Sequence, residues 1–426
     1  MRLIYTFIIY LFVPFVLLRL YFLGFKNPAY RLRWQERFGF IKCYEHDRPV
    51  IWLHAVSVGE VNAAKPVITK LLEQYPQFEI LVTTVTPTGA YTLKQYFADD
   101  IKHHYLPYDL PFSTKRFINE VNPKVLITME TEIWPNLYNA CHKKNIPLLI
   151  INARLSEKSL NGYRLVSSLM KDTLDKVNLI AAQTKYDAER FIAIGAKKEK
   201  VVVTGNLKFD VTNPQSLTEQ AESLKRYFSV NRPIWIAAST QEGEEEIILK
   251  SHLVVLKKIP EAILILAPRH PERMNKVVSL CDNEKLRHVK RTDDKAFSSE
   301  DSVFILNTLG ELQLHYAAAQ VAFVGGSLVN TGGQNMMEPA SLGIPVISGK
   351  YTYNFTEVTQ LLSENNALVL VSNAEELASE ICKMLSDANL RHNMGEMGQK
   401  VIEENRGNLK RLMDIIEPYL SDDETN

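Results

Sequence analysis

Carboxylates stand where buried strands should end. Glu60 closes Trp52-Leu-His-Ala-Val-Ser-Val-Gly-Glu60, which follows an apolar, β-branched run. A carboxylate entering the first turn of a helix at a cleft edge is a candidate general base, and the helix dipole favours its charged form. Gly59 permits a tight bend and Ser57 is a capping residue type. Ser57 and Glu60 also have capping-box spacing, in which Glu60 only bonds a backbone N–H, and position alone favours that reading. Glu130 and Glu132, in Met129-Glu-Thr-Glu-Ile-Trp-Pro-Asn136, end a second apolar run, where carboxylates are costly unless paired or functional. Arg154, in Asn152-Ala-Arg-Leu-Ser156, and Lys208, in Gly205-Asn-Leu-Lys-Phe-Asp210, bring cations to two more strand ends. Together they suit an anionic substrate, or one of them neutralises Glu130 or Glu132. The hydroxyl-rich loop Thr83–Gly89 holds a polar substrate or is a capped turn.

The second half of the chain repeats the theme with different chemistry. Ser239 and Thr240 open a loop that runs to Glu244-Glu-Glu246, and Pro268-Arg269 ends another apolar run. Arg269 is placed to meet a phosphate or a base. Leu309-Gly310-Glu311 leads into a helix. Gly325-Gly326-Ser327 and Gly332-Gly333-Gln-Asn335-Met336-Met337-Glu338 form a glycine-rich loop entering a helix, which predicts backbone N–H groups turned toward a phosphate. Glu338, one turn on, would accept from ribose hydroxyls. No spacing fits a phosphate-binding Walker loop, a dinucleotide fingerprint or a zinc-binding His-Glu-x-x-His, so neither metal nor cofactor is expected.

These residues need a scaffold that gathers strand ends. Val50–His54, Ile80–Val85, Val125–Met129, Leu148–Asn152, Leu179–Gln183 and Val201–Thr204 read as buried strands separated by helical patterns, the βαβ signature of a covered parallel sheet. A polar linker follows at about Asn213–Asn231. Then Ile234–Ala238, Ala262–Ala267, Val303–Asn307, Val321–Val324, Pro345–Ser348 and Ala367–Val371 repeat the pattern, with amphipathic helices over Ala374–Leu385 and Asn389–Tyr419. The expected architecture is α/β: two doubly wound, Rossmann-like domains, with ligands at the strand C-termini facing a cleft. With 426 residues, 49 Lys plus Arg against 49 Asp plus Glu, the chain is long enough for both and lacks the basic surplus of a nucleic-acid binder. Cys43, Cys141, Cys281 and Cys382 are scattered, which excludes a disulfide scaffold and a zinc ribbon.

Leu3–Leu18 is almost wholly apolar and, past Arg19, the run resumes to Phe25. Without a small-residue cleavage site it reads as a membrane anchor, spanning or lying in the interface. The excess of Arg and Lys on its C-terminal side places the body in the cytoplasm.

The motifs His54–Glu60, Glu130–Pro135, Asn152–Ser156, Gly205–Asp210 and Gly325-Gly-Ser through Glu338-Pro-Ala340 resemble those of the 3-deoxy-D-manno-octulosonic acid (Kdo) transferases of Gram-negative bacteria, in the same order and over nearly the whole chain. The resemblance implies a GT-B glycosyltransferase that moves Kdo from CMP-Kdo to the lipid A precursor, lipid IVA, at the cytoplasmic face of the inner membrane. It implies an anchor over 1–25, an acceptor-binding domain over 26–212 and a donor-binding domain over 213–426, whose final helix returns to the first domain. It also implies Glu60 as base, overturning the capping preference, with Glu130 and Lys208 supporting the transition state. Pro268-Arg269, Leu309–Glu311 and Asn335–Glu338 would bind CMP. Two other readings compete: an enzyme acting on a different nucleotide sugar, and a membrane-tethered nucleotide binder without catalysis.

Overall fold

The structure is a computed structural model that describes residues 1–41, 47–210, 216–229 and 232–421. It divides into two compact units, Met1–Asp210 with Gly407–Asn426, and Val211–Arg406.

The first unit carries a seven-stranded, all-parallel sheet of β1 (Val50–His54), β2 (Glu79–Thr84), β3 (Lys102–Tyr105), β4 (Val125–Met129), β5 (Leu148–Ala153), β6 (Leu179–Ala182) and β7 (Val201–Val203). Their order is β3-β2-β1-β4-β5-β6-β7. Side chains of a strand alternate between faces, and β1 shows both cores at once. Ile51 and Leu53 join Val67, Val82 and Ile127 on one side, while Val50 and Trp52 join Phe117, Leu126 and Ile150 on the other. The chain leaves β3 and crosses to the far side of β1, so the loops after β1 and β4 flank the topological switch point, where doubly wound sheets bind ligands.

The second unit repeats the plan with β8 (Ile234–Thr240), β9 (Ile263–Pro268), β10 (His288–Lys290), β11 (Val303–Ile305), β12 (Val321–Val324), β13 (Val346–Gly349) and β14 (Leu368–Val371), ordered β10-β11-β9-β8-β12-β13-β14. Here the switch point falls between β8 and β12. Trp235 and Ala237 face one core, Ile234, Ile236 and Ala238 the other.

Three expectations need correction. β3 and β10 are strands that the sequence does not announce. The stretch expected to be a polar linker contains a helix, Leu217–Tyr227, because Leu217, Ala221, Leu224 and Phe228 share one apolar face that the second unit buries; Asn213 and its neighbours to 215 lie outside the described residues. The single C-terminal helix is broken: Ala388–Glu404 ends, Gly407 takes φ +81°, and Asn408–Ile416 restarts in the first unit. There the carboxylate of Asp210 accepts from the N–H groups of Gly407 and Leu409, both at 2.6 Å, and Leu412 and Ile416 enter the core beside β1. Cys141, Cys281 and Cys382 are buried free thiols, and Cys43 lies outside the described residues.

Candidate active site

In the first unit the helix Val58–Gln74 begins directly after β1, and Glu60 sits in its first turn. The capping arrangement is half formed: Glu60 does reach back to a backbone N–H, its Oε2 accepting from Val56 at 2.9 Å, but Ser57 makes no side-chain cap bond. Burial, reinforced by repulsion from Glu132 and Glu130 and opposed by the Val56 N–H, pushes the half-buried Glu60 carboxyl up to about 8. Ser57 is half-buried and Gly59 exposed on the same turn.

Glu130 follows β4 with φ +53°, and Asn152, the next-to-last residue of β5, has φ +48°. Left-handed backbone at non-glycine residues is costly and clusters at functional sites. Burial raises the Glu130 carboxyl; Lys208 and Arg154 act against this, while Glu132 and Asp187 add to it. Thus the two cations and the carboxylates do lie within electrostatic reach of one another. Glu132 accepts from Trp134 Nε1 at 2.9 Å, and its carboxylate lies 3.7 Å from Nε2 of the fully buried His54. Thr83 holds the other face of that imidazole, with its Oγ1 2.9 Å from His54 Nδ1 and 2.8 Å from Trp52 Nε1. Thr86 caps the next helix through the Gly89 N–H at 3.1 Å, so the hydroxyl-rich loop is a capped turn.

Lys208 rides on a short turn, Leu207–Phe209, whose geometry is set from β5: Asn152 Oδ1 accepts from the Leu207 N–H at 3.2 Å. Gly205 precedes it at φ +93°, and a Cβ there would lie 2.1 Å from Asn408 Oδ1, so only glycine fits beneath the returning C-terminal helix. Asn152 Nδ2 is buried without a hydrogen-bond partner. His54 and Asn152 belong to the quoted motifs, but residue type alone assigned neither a role.

The second unit corrects one expectation. The N–H groups of Gly326, Ser327 and Leu328 do not face an open site. All three donate to the buried carboxylate of Glu244, at 2.6, 2.8 and 2.8 Å, and the Gln241 N–H adds a fourth bond at 2.8 Å. The glycine-rich loop is an anion nest, as its composition implies, but the chain fills it with its own anion. Ser327 is likewise internal: its hydroxyl donates to Val324 O and accepts from the Gly349 N–H, each at 2.7 Å. Gly325 is required because a Cβ would meet the Thr240 backbone at 2.8 Å. Thr240 is buried and donates to Glu245, which Arg273 grips with two bonds of 3.0 and 2.9 Å. Ser239 stands beside it at φ +55°.

Groups at the same strand ends remain outward. Arg269 is exposed after β9, its N–H held by Thr240 O at 3.0 Å. Leu309 is exposed and Gly310 takes φ +86° over open space. Burial would raise Glu311, yet bonds from Thr308 and Arg291 hold it below the usual carboxylate range. Met336 and Met337 are buried, leaving only their backbone for a ligand, and Asn335 accepts from the Met337 N–H at 3.1 Å. Burial raises the Glu338 carboxyl, which takes a 3.0 Å bond from Asn335 Nδ2. Gly333 closes the loop with φ +81°. A cavity of about 540 Å³ adjoins this region, lined by Tyr227, Arg291, Phe304, Glu311 and His315. Among the described residues no three His, Cys, Asp or Glu side chains group as metal ligands would.

Residues 32–211 match the family model for 3-deoxy-D-manno-octulosonic-acid transferase (kdotransferase), and residues 231–401 match glycosyl transferases group 1. The chain is 42% identical to the 3-deoxy-D-manno-octulosonic acid transferase of Haemophilus influenzae over 98% of its own length and 99% of that protein. It is 31% identical to the enzyme of that name from Bordetella pertussis, over 87% of each chain. Among solved structures it resembles the UDP-GlcNAc 2-epimerase of Neisseria meningitidis, with a TM-score of 0.58 at 16% identity over 87% of this chain and all of that one. A glycosyltransferase from Rickettsia africae aligns with a TM-score of 0.55 at 16% identity, covering 88% of this chain and 100% of that one. The structural likenesses speak to fold, two Rossmann-like domains of GT-B type; the sequence relatives speak to kind. The chain is a glycosyltransferase and belongs to the 3-deoxy-D-manno-octulosonic acid transferase family.

Proposed function

We propose that this protein transfers Kdo from CMP-Kdo to lipid IVA in lipopolysaccharide assembly, with inversion and without a metal, on the cytoplasmic face of the inner membrane. The observation that carries the proposal is the half-buried Glu60 carboxyl, pushed up to about 8 beside Glu130 and Glu132, with Lys208 and Arg154 in electrostatic reach of Glu130. A base poised near the working pH is what acid–base catalysis favours.

Glu60 takes the proton of an acceptor hydroxyl. The oxygen attacks the anomeric carbon of Kdo from the face opposite the phosphate, and the bond from that carbon to the phosphate oxygen breaks. CMP departs with the electron pair and the anomeric centre inverts. Kdo carries its own carboxylate at that carbon, so Lys208 and Arg154 offset negative charge where donor and base meet. The leaving group is a phosphate monoester anion, which Arg269 and backbone N–H groups can stabilise without a Lewis acid. The nest at 326–328 is occupied by Glu244, so the anion is assigned to Arg269 and the Asn335–Glu338 turn, with Pro268 and the Leu309–Glu311 loop around the nucleoside. The first unit takes the acceptor and the second the donor.

Glu60→Gln tests the assignment. Transfer is expected to fall by at least about 10³-fold, in line with loss of a general base, while CMP binding by calorimetry stays within about twofold of wild type. Full transfer by Glu60→Gln would remove Glu60 as the base.

A further inference from the structure

The N-terminal helix, Arg2–Lys26, is long and apolar enough to cross a bilayer, with a mean hydropathy of 2.2 over its most apolar 18 residues. Its contacts say more about its direction. Near its start, Tyr5 OH donates to the buried carboxylate of Asp109 at 2.9 Å, and Thr6 Oγ1 donates to Asn136 Oδ1 at 3.0 Å. Asp109 is itself built into the domain, accepting from the N–H groups of Asn136 at 3.0 Å and Leu137 at 2.6 Å. Near the helix's other end, Arg31 donates to Tyr21 O at 3.2 Å and lies over the rings of Tyr21 and Phe25, 4.5 and 4.1 Å from their centres. Gly24 makes room for it, since a Cβ there would meet Arg31 Cγ at 2.4 Å. Two residues on, Arg33 donates to His103 O of the edge strand β3 at 2.8 Å.

Both ends of the helix are therefore fastened to one folded domain. Tyr5 and Phe25 are separated by ~30 Å of helix, which is also the thickness of a bilayer's hydrocarbon core. A spanning helix would carry Tyr5 to the far side and leave Asp109 and Asn136 behind.

Burial along the helix agrees. Arg2, Tyr5, Thr6, Ile9, Val13, Leu17, Leu20, Leu23 and Gly24 are the partly or fully covered positions, a stripe set mainly by three- and four-residue spacing. On the opposite face Phe7, Leu11, Phe15, Phe22 and Phe25 are each 60% exposed or more. Of the basic residues around the helix, Arg19 and Arg31 are exposed, whereas Arg37 is buried and Arg33 pairs with Glu36, the single acid of residues 1–41.

We propose that this helix lies in the plane of a bilayer surface, with the Phe7–Phe25 face in the acyl boundary and the exposed Arg19 and Arg31 against anionic phospholipid headgroups. The helix does not tether the enzyme at a distance; it sets the height of the site over the membrane. Asn136 and Leu137, bonded through Asp109 to Tyr5, begin the helix that follows the Glu130–Trp134 loop. The anchor helix is thus connected through Tyr5, Asp109 and Asn136 to the start of the helix that directly follows the loop carrying Glu130 and Glu132. This deepens the membrane part of the function proposed above and rests on it.

The test is a depth measurement on the full-length protein in vesicles of phosphatidylethanolamine and phosphatidylglycerol. Nitroxides are placed singly at Phe7→Cys, Phe15→Cys and Phe22→Cys in a Cys43→Ser background, and their accessibility to oxygen and to a nickel chelate is compared. All three positions are exposed, so the labels leave the seat on Asp109 intact. An in-plane helix gives three shallow depths agreeing within a few ångströms. A label at position 15 lying ~10 Å deeper than the other two, as the helical rise requires of a spanning segment, would overturn the proposal. So would labels reached by neither reagent because a second copy covers them, or failure of the protein to bind the vesicles. If transfer to a detergent-dispersed acceptor persists in that last case, the catalytic assignment stands while the in-plane helix falls.

Discussion

If repulsion from neighbouring carboxylates helps hold Glu60 up, neutralising one neighbour must lower it. Glu132→Gln is the sharpest perturbation. It removes one charge, and the remaining amide oxygen can keep the 2.9 Å bond from Trp134 Nε1. In a medium of effective dielectric ~20, a like charge roughly 6–10 Å away raises a carboxyl by about 1–2 pH units. The Glu132 side chain is 21% exposed, so the expected displacement is about one unit. The assay is kcat/KM against pH, whose acid limb reports the free enzyme. Wild type should rise with unit slope and level off near pH 8, because only about a tenth of Glu60 is ionised at pH 7 when its carboxyl titrates at about 8. In Glu132→Gln the limb should move to about pH 7. At pH 6 the variant should therefore keep about ten times more of its plateau rate than wild type keeps of its own. A limb that stays in place while the variant remains active would refute the role of Glu132. A wild-type limb at pH 4–5 would refute the elevated Glu60 altogether.

Stability follows the same linkage with a defined sign. Because the folded-state Glu60 carboxyl is raised from 4.5 to about 8, the folded protein binds more protons than the unfolded chain between those values, and stability is lost as pH rises through the window. Glu60→Gln escapes this loss, which amounts to about 5 kcal/mol at most at 1.36 kcal/mol per pH unit. The inactive variant should unfold at a higher temperature than wild type at pH 8.5, with the difference fading toward pH 4.5; equal melting at both values would contradict the shift. Glu244→Ala opens the nest at 326–328 and should cost ~3 kcal/mol or more through unpaired N–H groups, seen as a lower melting temperature that added sulfate partly restores. A melting temperature within 1 °C of wild type would show that the carboxylate is not what holds the loop.

Much of the scaffold is legible in the sequence because its strands are buried on both faces and read as unbroken apolar runs, Val50–His54 and Val125–Met129 among them. β3 and β10 escape notice because they are short edge strands. Lys-His-His-Tyr and His-Val-Lys carry the polar residues that edges need and lack an apolar run. The helix Leu217–Tyr227 is hidden by its polar face, and only the spacing of Leu217, Ala221 and Leu224 discloses it. For the site, glycine and carboxylate placement shows where chemistry gathers but not which groups pair. Glu244 reads as the first turn of a helix, and nothing in local composition tells that it fills a nest more than 80 residues away. Asn152 shows the same limit, since its hold on the Lys208 turn spans 55 residues. Pairings of that range are set by strand order.

The most direct measurement is transfer itself. Purified full-length protein, stripped of metal by a chelator, receives CMP-Kdo generated in situ and lipid IVA, and the lipid is read by mass spectrometry. A gain in whole Kdo residues is expected, abolished in Glu60→Gln and undiminished by the chelator. No gain from a folded, CMP-binding protein, or gain only with UDP-sugars, would contradict the proposed transfer.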